Sequence, residues 1–323
     1  MIFSLLTAAI LSVVGLIVHE LGHLVFGCLT GYRFNCFRLG PLAWFKEDDR
    51  IHFRIARNFA AGQCIMAPVE DFKEFKFVLY NSGGGIFNLI LGFACLALVF
   101  VYSGDSIIGR LLVQSAAINI FFAITNLIPI KAWTNDGANI FETLKSKDAV
   151  RGLYMILYAN DMLSKGLRYR DFDKNLFKLD GTGKVNNYME AYLILYEAAW
   201  LEDSGEYDAF VECLKRVNMK KMPGIIKGSI ETDLLYYYTF YKPDHSKAKI
   251  VYNDKKLKKF LKMPLPGVAR IAAAYEFFVE ENEEKGKKLL EQAKKVAESW
   301  PNKGQRIMET EYIQNLEDAI YGQ

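Results

Sequence analysis

Apolar and polar positions divide this chain into two regimes. Three long apolar runs occupy residues 2–29, 77–102 and 107–130, while most of the charge comes after residue 145. Each run can cross about 30 Å of hydrocarbon as a helix, so the pattern predicts three membrane spans. The stretch between the first two runs differs. Ile51, His52, Phe53, Arg54 and Ile55 alternate apolar and polar with a period of two, as a half-buried strand does. Residues 32–39 have a similar aromatic and branched character. Together they predict a β-hairpin over residues 34–57, turning at residues 46–50, with His52 as a surface strand position. Residues 61–68 follow neither period. Pro129 ends the third run, and Asn135-Asp136-Gly137 is turn chemistry ahead of a short helix over residues 138–144.

Beyond residue 145 the apolar spacing becomes helical. Residues 188–216 read as two amphipathic helices joined at 203–207. Residues 268–298 read as a second such pair with its turn at 281–283, and 232–241 supplies another helix between them. The pattern from Ala274 through Tyr275, Phe277 and Phe278 to Gly286, Leu289, Leu290, Gln292 and Ala293 resembles tetratricopeptide-like hairpins. The predicted fold is mainly α: a polytopic membrane helix bundle of about three spans with a small β-hairpin insertion, then a soluble α-helical hairpin domain. The expected division is 1–145 for the membrane-embedded part, 146–186 for a connecting segment containing Arg168 to Asp171 and Gly181 to Gly183, and 187–323 for the helical domain.

Composition adds limits. The 323 residues are 51% hydrophobic and carry a formal net charge of +3. No basic stripe with interleaved aromatics occurs, so nucleic acid is not an expected partner. The lysine run 255–259 reads as a solvated face, or one meeting a lipid surface. Five scattered cysteines (Cys28, Cys36, Cys64, Cys95, Cys213) form no framework, which fits reduced thiols. The first run lacks a basic leader and a cleavage site and is too long for a signal peptide, so it reads as a retained span. Segment 31–76 holds eight basic residues (Arg33, Arg38, Lys46, Arg50, Arg54, Arg57, Lys73, Lys76), against Asp105 and Arg110 near the opposite turn. Positive charge beside membrane ends stays in the cytosol. The expected protein is therefore integral to a bacterial cell membrane, with its N-terminus outside and the hairpin and C-terminal domain cytosolic.

The candidate chemistry lies inside the first run. His19-Glu20-Leu21-Gly22-His23 puts two imidazoles one turn apart on one helix face, with a carboxylate beside them. Two neutral imidazoles at that spacing suit Zn2+, and Glu20 can take a proton from water in the open coordination position. Histidines and a carboxylate within a membrane span are costly without such a partner. The second run holds Gly83-Gly84-Gly85 and then Asn88. Adjacent glycines allow close helix approach, and Asn88 reads either as interhelical glue or as a hydrogen-bond donor near the metal. Asp136 alone would read as a turn or capping residue; its place after a broken span, in a chain that needs a third ligand, makes it a candidate ligand.

His19-Glu20-x-x-His23 in the first run, Gly84-Gly85-x-x-Asn88 in the second, and Asn126-x-x-Pro129 followed by Asp136-Gly137 resemble the site-2 protease family of zinc-dependent intramembrane proteases. The resemblance covers about residues 1–145, and the hairpin matches the strand-rich region many members carry after the first helix. It implies that His19, His23 and Asp136 bind zinc and that Glu20 is the general base. It further implies that Asn88, Asn126, Gly84 and Gly85 support the substrate or an oxyanion. This chain has Gly85 where members often have Pro, and Asn135 where they often have Leu. The implied activity is hydrolysis of a peptide bond in a transmembrane or signal-peptide-derived segment, with residues 187–323 serving regulation or a protein partner. The alternative is an inactive membrane-anchored adaptor that binds partners through its helical domain.

Overall fold

The computed structural model describes residues 2–47, 50–102, 106–179 and 183–322. Residues Asp48 and Asp49 of the expected hairpin turn, Asp105, Gly181 and Thr182 lie outside the described residues. The chain divides into two compact units, one of residues 1–40 and 60–145 and one of residues 41–59 and 146–323. Helix dominates both.

The first unit is built on α1 (Ile2–Leu29), α2 (Phe77–Val99) and α3 (Ile107–Leu127). All three are long and apolar enough to cross a membrane. Their outer faces expose large apolar side chains such as Leu5, Ile10, Phe93 and Phe121, the reverse of a water-soluble bundle. Gly31, at φ +86°, takes the left-handed conformation that ends α1, and the Tyr32 N–H donates to the Gly27 carbonyl at 2.9 Å. Ser106 caps α3 by accepting from the Gly109 N–H at 2.9 Å. The second and third helices stop at Val99 and Leu127, short of the apolar runs that predicted them. Pro129 accounts for the latter, because it cannot continue the ladder.

Small residues let these helices approach. A β-carbon at Gly22 would strike the backbone of Gly83, and one at Gly83 the backbone of Gly22. This contact fixes α1 against α2 beside the two histidines. Further along, Gly92 faces Ile120 of α3.

Strands β1 (Arg33–Glu47) and β2 (Arg50–Ala67) form a two-stranded sheet. The expected hairpin ended at residue 57, but β2 continues ten residues further, through the stretch that had no sequence period. Packing decides this extension: Cys64, Met66 and Ala67 are buried, and Met66 lies where a β-carbon on Gly27 of α1 would reach. After Pro129 comes α4 (Asp136–Thr143).

The second unit holds α5 (Lys147–Ser164), α6 (Tyr188–Asp203), α7 (Tyr207–Leu214), α8 (Gly224–Tyr236), α9 (His245–Tyr252), α10 (Lys255–Phe260), α11 (Val268–Phe278), α12 (Glu283–Ser299) and α13 (Lys303–Tyr321). The stretch expected as a connection therefore contains α5, capped by Ser146, with Met155, Ala159 and Leu163 in a shared core with Leu193 and Met308. Helices α6–α7 and α11–α12 are the two predicted hairpins. Buried Arg168 joins Asp203 and Glu311, and the Tyr312 hydroxyl donates to Asp203 at 3.1 Å. The hairpin tip belongs here too: both carboxylate oxygens of Glu47 accept from Arg306 Nη2 at 2.8 Å.

Candidate metal centre

The helical period brings His19 and His23 to one face of α1, and both are buried, with Glu20 beside them. Their Nε2 atoms stand 3.2 Å apart. Asp136, the first residue of α4, places Oδ2 at 3.2 Å from His19 Nε2 and 3.4 Å from His23 Nε2. These three atoms make a nearly equilateral triangle. Ligands at about 2.0–2.1 Å around a tetrahedral zinc stand about 3.3–3.4 Å apart, so the triangle matches one face of such a site.

The outer hydrogen bonds fix the imidazoles for that role. His23 Nδ1 is 2.9 Å from the Tyr80 carbonyl oxygen, which can only accept. His19 Nδ1 is 2.8 Å from Asn88 Oδ1. The Asn88 amide is oriented because its Nδ2 donates to two acceptors, the Gly15 carbonyl at 2.9 Å and Asn119 Oδ1 at 2.8 Å. Both imidazoles therefore carry their proton on Nδ1 and turn an Nε2 lone pair towards the same point. Asp136 Oδ2 is buried and has no hydrogen-bond donor. An orphaned carboxylate oxygen and two convergent imidazole lone pairs are the donor set a zinc ion takes.

Asn135 presents Asp136. It is the cap of α4, accepting from the Ala138 N–H at 3.0 Å. The same oxygen accepts from the Ile130 N–H at 3.0 Å, and its Nδ2 donates to the carbonyls of Thr125 at 2.6 Å and Ile128 at 2.7 Å. One amide thus closes the gap between the end of α3 and the start of α4. Gly137 has the Leu127 carbonyl where a β-carbon would go.

Glu20 faces the end of β2. A β-carbon at Gly62 would collide with the Glu20 carboxylate, and the Cys64 backbone hydrogen-bonds to that carboxylate. The three glycines of α2 have separate surroundings. Gly83 meets α1, Gly84 has the His19 ring where its β-carbon would be, and Gly85 has the Leu127 side chain there. Asn126 Nδ2 donates to the Phe122 carbonyl of its own helix at 2.9 Å. The structure thus gathers His19, Glu20, His23, Asn88, Gly84 and Asp136, while the contacts of Gly85 and Asn126 reach none of the three ligand atoms.

Asn119 is the residue that sequence reasoning passed over. It is fully buried and completes the Asn88 network, donating in turn to the Ser115 carbonyl at 2.9 Å. An amide in the middle of an apolar run, seven residues before Asn126 on the same helix face, was the available signal.

Searches of the curated proteins and of the solved structures find no match to this chain. The matched family describes membrane metalloproteases, and Asp136 lies beyond the matched span. Residues 7–113, the segment that carries both histidines, Glu20 and Asn88, match the model of peptidase family M50, the site-2 protease family.

Proposed function

We propose that this protein is a zinc-dependent intramembrane endopeptidase. The observation that carries the reading is the triangle of His19 Nε2, His23 Nε2 and Asp136 Oδ2, with edges of 3.2–3.4 Å, beside the buried Glu20 carboxylate. His19, His23 and Asp136 would hold the ion. Zinc supplies Lewis-acid polarisation of the scissile carbonyl and makes the attacking water more acidic. Glu20 accepts the proton of that water and returns it to the leaving amide nitrogen. Asn88 and the Tyr80 carbonyl keep both imidazoles in the ligating tautomer. The substrate is a transmembrane or signal-peptide-derived segment that unwinds locally, since a helix hides its carbonyls from attack. Orientation follows the charge pattern: N-terminus outside, C-terminal unit in the cytosol.

The test combines metal analysis with cleavage of a model transmembrane peptide by the full chain in detergent micelles. Glu20→Gln is expected to retain zinc and lose turnover, because an amide cannot accept the proton. Asp136→Ala is expected to lose both, because two imidazoles alone make a poor zinc site. A zinc-loaded Glu20→Gln variant with the turnover of an active parent would point to another base, and a parent chain that holds no zinc and cleaves nothing would favour the inactive-adaptor alternative.

A further inference from the structure

The second unit contains a cavity of about 310 Å³ that is independent of the metal ligands. Its lining includes three carboxyls, Glu202 on α6, Asp233 on α8 and Glu309 on α13, and one guanidinium, Arg270 on α11. Arg270 is committed to Glu309, its Nε donating to Oε1 at 2.7 Å. Two carboxyls are left in excess. Glu202 accepts only from the Tyr241 hydroxyl, at 2.9 Å, and Asp233 has no hydrogen bond or ion pair among the described contacts.

A second observation is independent of the carboxyls. Arg270 is only 3% exposed and sits over the rings of Tyr236 and Tyr312, at 4.3 and 5.0 Å. Yet its Nη1 is buried without any hydrogen-bond acceptor. A buried guanidinium donor left open costs free energy until an acceptor arrives. The cavity thus asks for two groups together, a cation for Glu202 and Asp233 and an acceptor oxygen for Arg270. The lining also includes apolar and aromatic side chains, Leu195, Tyr196 and Phe210 among them. An aliphatic stem ending in a cation, attached to a peptide carbonyl, has both groups and an apolar part that suits this lining.

We propose that this cavity binds a peptide through one lysine or arginine side chain, its cation meeting Glu202 and Asp233 while a neighbouring backbone carbonyl accepts from Arg270 Nη1. The volume admits one such residue with its flanking peptide groups and excludes a folded surface. Burial raises the Glu202 carboxyl and, together with Glu202, the Asp233 carboxyl, in both cases against the opposing pull of Arg270, so a bound cation would favour the ionised form of both.

Calorimetric titration of the full chain in detergent micelles tests this without using proteolysis. The probes are acetyl-Ala-Lys-Ala-amide, its norleucine counterpart, and 1,5-diaminopentane, which has the cation and lacks the carbonyl. The lysine peptide is expected to bind at least about tenfold more tightly than either of the others, and Asp233→Asn to weaken it by a similar factor. Glu202→Gln serves if the first variant does not fold. Equal affinity for the lysine and norleucine peptides, no binding of the lysine peptide at millimolar concentration, or an unchanged affinity in a folded variant overturns the proposal. Diaminopentane binding as tightly as the peptide overturns the role of Arg270.

Discussion

Two short side chains, Asn88 and Asn119, decide how His19 presents itself. The Asn88 oxygen takes the His19 Nδ1 proton only because its nitrogen is held by Gly15 and Asn119. Without Asn119 the Asn88 amide loses one of two reasons to keep its orientation. A flipped amide would offer a donor to Nδ1 and favour the other tautomer. Loss of an outer partner of a ligating histidine typically costs about 10–100-fold in metal affinity or activity. Asn119→Leu is therefore expected to weaken zinc retention by about that range while leaving the helical content intact. Competition with a chelator, followed beside circular dichroism, measures both. Affinity equal to that of the parent would mean that Gly15 alone suffices to hold Asn88.

Elements act here through their ends and their close approaches. The third ligand comes from the start of α4, and that start exists because Asn135 bonds both sides of the break after α3. Asn135→Ala removes a helix cap, at about 1 kcal/mol, and also frees the backbone between Leu127 and Asp136. We expect zinc binding to weaken more than thermal stability, because the cap is local while the ligand position depends on it. A melting temperature that falls steeply with zinc affinity unchanged would contradict that division. The β2 strand shows the same dependence on context. Gly62 leaves room for Glu20, and the strand is held against α1 by buried Cys64 and Met66.

At the scale of the molecule, charge governs both placement and stability. The eight basic residues of segment 31–76 are the basis of the proposed orientation, with the hairpin and the C-terminal unit in the cytosol. A reporter fused after Gln323, a residue outside the described ones, is expected to report the cytosol, and an external signal would require a different number of spans. In the second unit, the raised carboxyl of Asp233 makes stability depend on pH. Its folded pKa lies above the unfolded value of about 3.9, so the folded state binds the proton more tightly. The stability this gives is complete below the unfolded value and is lost as pH rises through the folded one. Asp233→Asn removes that loss. Calorimetry is expected to find the variant melting above the parent at pH 8, with the difference shrinking towards pH 4. A difference independent of pH would mean that Asp233 is ionised at little cost.

The sequence by itself determined the three apolar helices, the helical hairpins of the second unit, the spacing that stacks His19 on His23, and the break that makes Asp136 available. These are local properties: an apolar run of sufficient length, a period of 3.6, a proline, a turn. Tertiary structure decided the rest. Residues 61–67 have no period of their own and become strand because α1 offers them a surface. Residues 147–164 become α5 because they share a core with α6 and α13. That Asp136 Oδ2 lies within 3.4 Å of both imidazoles depends on a contact spanning more than a hundred residues of chain. The role of Asn119, an amide on α3 whose oxygen accepts from Asn88 on α2, likewise depends on a contact between helices. No sequence spacing encodes such distances; they follow from where glycines let helices touch and where buried amides find partners.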